Sequence, residues 1–366
     1  MQRSVEILLC IPFFYICSES FSKPRNKLQI MKHLALIILY VLAFTIPCFP
    51  PLMAMAQVPP TVTLLKQKAF PKTIPPGNYS GISWLGGNRY AVVSDKSAED
   101  GFFVFEIDVD SVSGEILNAR NLGFHSSGKA NRDDEGIAYN PQSNTVFISG
   151  ESDNYIYEYD ISGQLTGRCI PPIPRYRQLP GNLGLEALSY DPIAQRLWTC
   201  NESGDVYIQS YDSLLRPQSS YTYQLDAPLS DRTKANFFAH GIGTLCALPD
   251  GNLLLLEREF YVPKKKLGSF VNCKLYFLSI NTLTTSSDSL SPVSPPKTLL
   301  AQWKTKLTIF DRSIANYEGL CLGPTLKDGS RVMLLVADSQ DQYHGVLKDW
   351  LKSLKLGGLK QVDLKP

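Results

Sequence analysis

The apolar and polar positions of this chain repeat one pattern five times. A polar or acidic start leads into a short apolar run, a turn, a second apolar run and an acidic end. The clearest copy is Asn316-Tyr317-Glu318-Gly319-Leu320-Cys321-Leu322, followed by residues 332–337 and Asp338. Upstream, 135–139 leads to 146–151, 186–190 to 197–202, 80–84 to 90–95, and 243–247 to 253–257. Copies at intervals of about 50 to 75 residues make an array of like units, and that period suits propeller blades better than helical solenoids.

Each copy except the last is followed by two further strand-like runs. Residues 155–159 and 274–280 alternate apolar and polar positions with the period of a half-buried strand. Four strands per unit is a propeller blade. The predicted fold is therefore all-β, a propeller of four-stranded blades. Five blades are counted, and the interval between the fourth and fifth leaves room for a sixth. In the fifth unit, 359–364 reads as the third strand, and 61–65 from the other end of the chain supplies the fourth. Pairing the termini in this way closes the ring and covers its exposed edges. Within 345–354 the apolar residues Leu347, Trp350, Leu351 and Leu354 have helical spacing, which predicts a surface helix or lid at the channel rim.

In such a blade the fourth-to-first and second-to-third connections share one face. Here they are long: 123–134, 171–184, 226–241, 258–272, 304–317 and 339–358. Long connections gathered on one face mark the functional side. The first-to-second turns, such as Asn140-Pro141-Gln142-Ser143, read as plain turns.

A net charge of +2 over 366 residues gives no nucleic-acid footprint. Met31-Lys32-His33, the apolar run 34–49 and Ala54-Met55-Ala56 stand in the order of a secretory signal. Residues 1–56 thus read as an upstream extension plus signal, with Met31 as the true start, and 57–366 as the propeller domain. The expected location is periplasmic or extracellular. Five cysteines follow the signal and none forms a Cys-x-x-Cys pair, which excludes zinc ribbons and thioredoxin chemistry. No Gly-x-Ser-x-Gly is present, so there is no α/β-hydrolase elbow.

The acidic positions now acquire a place. Glu135, Glu186 and Glu318 start inner strands; Asp95, Glu151, Glu202, Glu257 and Asp338 end second strands. All lie on the face of the long connections, nearest the channel. Carboxylates crowded at one mouth repel unless cations or paired bases neutralise them. Calcium suits that role, since it takes several carboxylate oxygens in flexible geometry. The alternative is that these acids cap strands and accept backbone N–H groups. Lys96, Arg132 and Arg258 sit beside the acids, and calcium with Arg or Lys suits phosphate oxygens. His240, just before the fourth inner strand, is a further acid–base candidate.

Ser80-Gly81-Ile82, Asp134-Glu135-Gly136-Ile137-Ala138, Gly184-Leu185-Glu186-Ala187-Leu188, the segment from Ala247 through Leu256-Glu257-Arg258, and Asn316-Tyr317-Glu318-Gly319-Leu320 together resemble the phytase-like domain family, described by the esterase-like activity of phytase. The resemblance covers about 60–366, nearly all of the mature chain. It implies a secreted β-propeller hydrolase acting on a small phosphate ester with calcium. Its expected partners include no nucleic acid and no membrane beyond the signal segment, and the expected state is a monomer. In this reading Glu135, Glu186, Glu318 and His240 carry the acid–base chemistry. Lys96, Arg132 and Arg258 hold phosphate, while Asp95, Glu151, Glu202, Glu257 and Asp338 hold the metal. Two other classes stand beside it: a calcium-dependent lactonase or carboxyl-ester hydrolase, and a non-catalytic ligand-binding propeller.

Overall fold

The first strand, β1 (Thr61–Ala69), does not pair with the strands that follow it. Next come β2 (Tyr79–Gly86), β3 (Arg89–Ser94), β4 (Glu99–Val109) and β5 (Ile116–Ala130), which form one antiparallel sheet in chain order. This description is of a computed structural model covering residues 58–180, 183–281 and 293–359, the side chain of His344 excepted. A second sheet is β6 (Asp134–Asn140), β7 (Thr145–Gly150), β8 (Ile156–Asp160) and β9 (Leu165–Ile170). The third is β10 (Leu185–Asp191), β11 (Arg196–Asn201), β12 (Val206–Tyr211) and β13 (Pro217–Tyr223). The fourth is β14 (Ala235–Ala247), β15 (Leu253–Pro263), β16 (Ser269–Leu278) and β17 (Lys297–Leu307). The last is β18 (Asn316–Thr325), β19 (Arg331–Asp338) and β20 (Trp350–Gly357), with β1 as its fourth strand.

The described residues thus hold five four-stranded sheets, the blades of an all-β propeller. Valine, leucine and aromatic residues recur in the second strands, whose environment is pleated and buried. Blades pack face to face through apolar clusters. Leu254, Leu256 and Phe277 of the fourth meet Tyr317, Leu335 and Leu354 of the fifth, and every one of these is buried. The inner strands β2, β6, β10, β14 and β18 lie side by side in that order, and β18 lies beside β2.

Thr61 pairs with Gly357 and Ala69 with Trp350, so the N-terminal strand completes the C-terminal blade. The third strand of that blade is β20, not 359–364, of which only Leu359 is among the described residues. The expected helix over 345–354 is therefore a correction: its second half, from Trp350, is β20. This strand is paired on both edges and buried on both faces, so apolar residues occupy successive positions and imitate helical spacing. Three long connections are corrected as well: most of 123–134 belongs to β5, which runs to Ala130. Most of 258–272 and the end of 226–241 are strand, because β14, β15 and β16 run on past the blade as a hairpin ending at Pro263 and Ser269.

Candidate active site at the acidic mouth

Every inner strand breaks its register with the second strand at the same place. The breaks fall at Tyr79/Gly81, Asp134/Ile137, Leu185/Ala187, Ile242/Thr244 and Tyr317/Gly319. A bulge gives the strand one extra residue and re-aims a side chain. The bulge residues are Ser80, Glu135, Glu186, Gly243 and Glu318. Glycine beside the bulge has its own cause. A Cβ on Gly81 would lie 2.5 Å from the Glu135 carbonyl oxygen, and one on Gly136 would lie 2.6 Å from Leu188 N. The inner strands approach too closely there for any side chain.

The residues after β3, β7 and β11, and the last of β19, face these bulges: Asp95, Glu151, Glu202 and Asp338. In the fourth blade the register places Arg258 at this position, not Glu257, since Ile242 pairs with Glu257 just as Leu185 pairs with Asn201. One residue of difference puts a strand side chain on the opposite face. Glu257 accordingly leaves the mouth. It accepts hydrogen bonds from Tyr223 Oη at 2.5 Å and Lys297 Nζ at 2.9 Å, in a separate cluster with Asp226 and Lys274. The expectation that Glu257 joins the acidic ring is overturned by that register.

Arg258 occupies the mouth instead. Its Nη2 lies 2.9 Å from Glu318 Oε1, 3.2 Å from Glu186 Oε1 and 3.3 Å from Glu202 Oε1. Arg258 is 6% exposed. Gly243 makes room for it: a Cβ there would stand 3.1 Å from Arg258 Cδ. So the fourth blade reverses the charge of the other four, with a glycine where three of them carry a buried glutamate.

Glu135 is the buried inner glutamate that Arg258 does not reach. Burial, and then the negative charges of Glu186, Glu318, Asp95 and Glu151, push its carboxyl well above the usual range. Burial also raises Glu186 and Glu318, and for each Arg258 opposes the rise. A buried guanidinium requires an ionised partner, so at least one of Glu186, Glu202 and Glu318 is a carboxylate. Asp338 is pushed up to about 6, by burial first. Its carboxylate accepts from Gln340 N at 2.7 Å, as Glu151 accepts from Gly184 N at 3.1 Å. To that extent the reading of these acids as backbone caps holds beside the functional one.

The other basic candidates are engaged. Lys96 lies on the rim, 2.5 Å from Asp133 and 3.3 Å from Asp95. Arg132 sits inside the second blade, paired with Asp153 at 3.0 Å and Asp134 at 3.5 Å, its guanidinium over the Tyr157 ring. Arg132 and Arg258 are thus neutralised structural cations, and neither offers phosphate a free fork. His240 pairs in register with Glu259, beyond the bulge, and burial pushes it below the usual imidazole value. Among the described residues, no three His, Cys, Asp or Glu side chains are grouped so as to hold a metal ion. As arranged, the mouth does not fit the calcium cage expected of it; its charge is offset by Arg258 and Lys96.

The residue that reasoning from sequence misplaced is Glu257, and the signal was present. Ser94, Gly150, Asn201 and Ala337 each precede the facing acid, and Glu257 occupies that preceding place.

Comparison with known proteins adds the following. The model of the phytase-like family, described as esterase-like activity of phytase, matches residues 74–340. No curated protein matches the chain. Among solved structures, streptogramin B lyase is 12% identical, with 80% of this chain and 98% of that one covered and a TM-score of 0.36. The WD40 β-propeller domain of Doa1 is 8% identical, with 82% and 98% covered and a TM-score of 0.34. A protein of unknown function from Bacteroides caccae is 11% identical, with 75% and 88% covered and a TM-score of 0.32.

Proposed function

We propose, from the premise that this chain belongs to the phytase-like family, that it is an ester hydrolase working at the acidic mouth of the propeller. The observation that carries this reading is the unequal treatment of the inner glutamates. Glu135 is held as a neutral acid by burial and its anionic neighbours, while the Glu186, Glu202 and Glu318 set shares the charge of Arg258. Carboxyl groups whose environments differ in this way divide into an acid and a base.

Glu135 donates its proton to the leaving alkoxide, and a carboxylate of the Arg258 set accepts one from the attacking water. Arg258 holds those carboxylates in place. An uncharged carboxylic ester or lactone suits this mouth best, because a phosphate dianion meets Asp95, Glu151 and Asp338 with Arg258 already engaged. Phosphate esters remain the second reading. Two observations favour it: the family's description, and the buried Asp95 Oδ1, which has no hydrogen-bond partner among the described residues. Calcium dependence belongs to that second reading.

Export fits the same reading, with the mature chain starting at Gln57; the signal itself lies outside the described residues. The deciding assay compares aryl acetate, a lactone and aryl phosphate, each with calcium and with chelator. Turnover of aryl acetate or lactone that ignores chelator supports the first reading. Chelator-sensitive turnover of aryl phosphate alone replaces it with the second. No turnover of any of them leaves the binding propeller.

A further inference from the structure

The channel has a second mouth, at the far ends of the inner strands, which the proposed hydrolysis does not use. The first-to-second turns surround it, and the sequence marks them as turns and nothing more. A cavity of about 580 Å³ opens there. That volume is within the usual range for small-molecule sites.

Its wall follows the blade repeat. Trp84, Tyr139, Tyr190 and Leu322 occupy one register position, each one step before the turn or within its bulge. In the fourth blade the same position is Ala247, which pairs with Leu253. Three aromatic rings and a leucine therefore enclose a space that widens toward the fourth blade. The lining is mostly apolar, with one charge in it, Arg331 of β19.

Arg331 is 7% exposed and has no acidic partner among the described residues. Its Nε and Nη2 donate to the Gly323 carbonyl oxygen at 2.9 and 2.6 Å, which secures the bulge between Leu322 and Thr325. Nη1 has no acceptor among the described residues, and the guanidinium stands 5.5 Å from the Trp84 ring. A backbone carbonyl is a neutral partner, so the cation is uncompensated. This differs sharply from Arg258, which has three carboxylates. Burying a lone guanidinium against apolar walls is costly unless an anion joins it.

We propose that this mouth is a second binding site, for a small organic carboxylate with a hydrocarbon body. The carboxylate meets Arg331 and the hydrocarbon fills the space between Trp84, Tyr139 and Tyr190. A guanidinium suits a carboxylate because its planar fork matches two oxygens. A single cation in apolar walls selects a monoanion with an apolar tail, rather than a sugar or a polyphosphate.

The test is calorimetric titration of the mature protein with decanoate and with decanol, which has the same tail and no charge. Decanoate should bind saturably at one site and at least tenfold more tightly than decanol. Arg331→Met should bring decanoate down to the decanol level. Ala247→Trp should block both, by filling the wide side. If Arg331→Met does not fold, the decanoate–decanol comparison and Ala247→Trp decide the matter. Decanoate that does not saturate, decanol that binds as tightly, or a folded Arg331→Met that keeps the preference would each overturn the proposal.

Discussion

At the scale of single residues, the acidic mouth depends on Glu135 and Arg258 having opposite needs. In the proposed hydrolysis Glu135 acts protonated, and its environment keeps the proton well above ordinary carboxyl values. Glu135→Gln should therefore lower kcat for the substrate found by about 10²- to 10⁴-fold and abolish the decline of activity at high pH. A kcat–pH profile checks both; an unchanged alkaline limb would assign that limb to another group. Arg258→Met leaves Glu186, Glu202 and Glu318 crowded without a cation. Removing one partner from a buried charge set costs about 3–5 kcal/mol. Urea unfolding at pH 8 should show that loss, and it should shrink at pH 5, where the carboxyls can take up protons instead. Equal losses at both values would mean that packing, rather than charge, is what Arg258 supplies.

At the scale of elements, the decisive pairing is β1 with β20. Residues 61–65 are readable from the sequence as the fourth strand of the last blade, and β1 is that strand. Its partner was not readable. Strand β20 is paired on both edges, and Lys352 and Ser353 are buried along with its leucines, so no polar face shows in its sequence. Removing 58–69 should expose one edge of β20 and convert the protein to aggregates or higher oligomers in size-exclusion chromatography. Adding back a peptide of 58–69 should restore the elution of the intact chain. Unchanged elution and melting temperature without these residues would show that the fifth blade stands on three strands.

At the scale of the whole molecule, buried acids couple folding to pH. Asp134 is pushed from 3.8 to about 8, by burial first and by Asp100 next, and Glu135 and Asp338 shift the same way. A carboxyl with a raised folded value binds its proton more tightly when folded. The folded chain then holds more protons than the unfolded one between about 3.8 and 8, so stability falls as pH rises through that window. Melting temperature should drop between pH 5 and pH 8, with a shallower slope for Glu135→Gln. A flat profile would mean that other groups offset these acids.

The repeat, the four-stranded unit, the union of the two ends in one blade and the family were all readable from the sequence. The same holds for Glu135, Glu186 and Glu318 as inner-strand acids. These features follow from local periodicity and short spacings, which burial imposes on each strand independently. The partnership of Arg258 with three glutamates was not readable, and the departure of Glu257 left one trace, its place one residue ahead of the other acids. Both depend on register, where one residue decides the face, and on bulges that only pairing with the neighbouring strand reveals. The second mouth was hidden for a related reason. Its wall is assembled from one position of each blade, and Arg331 joins it from a different strand, so its chemistry exists only once the blades stand around a common channel.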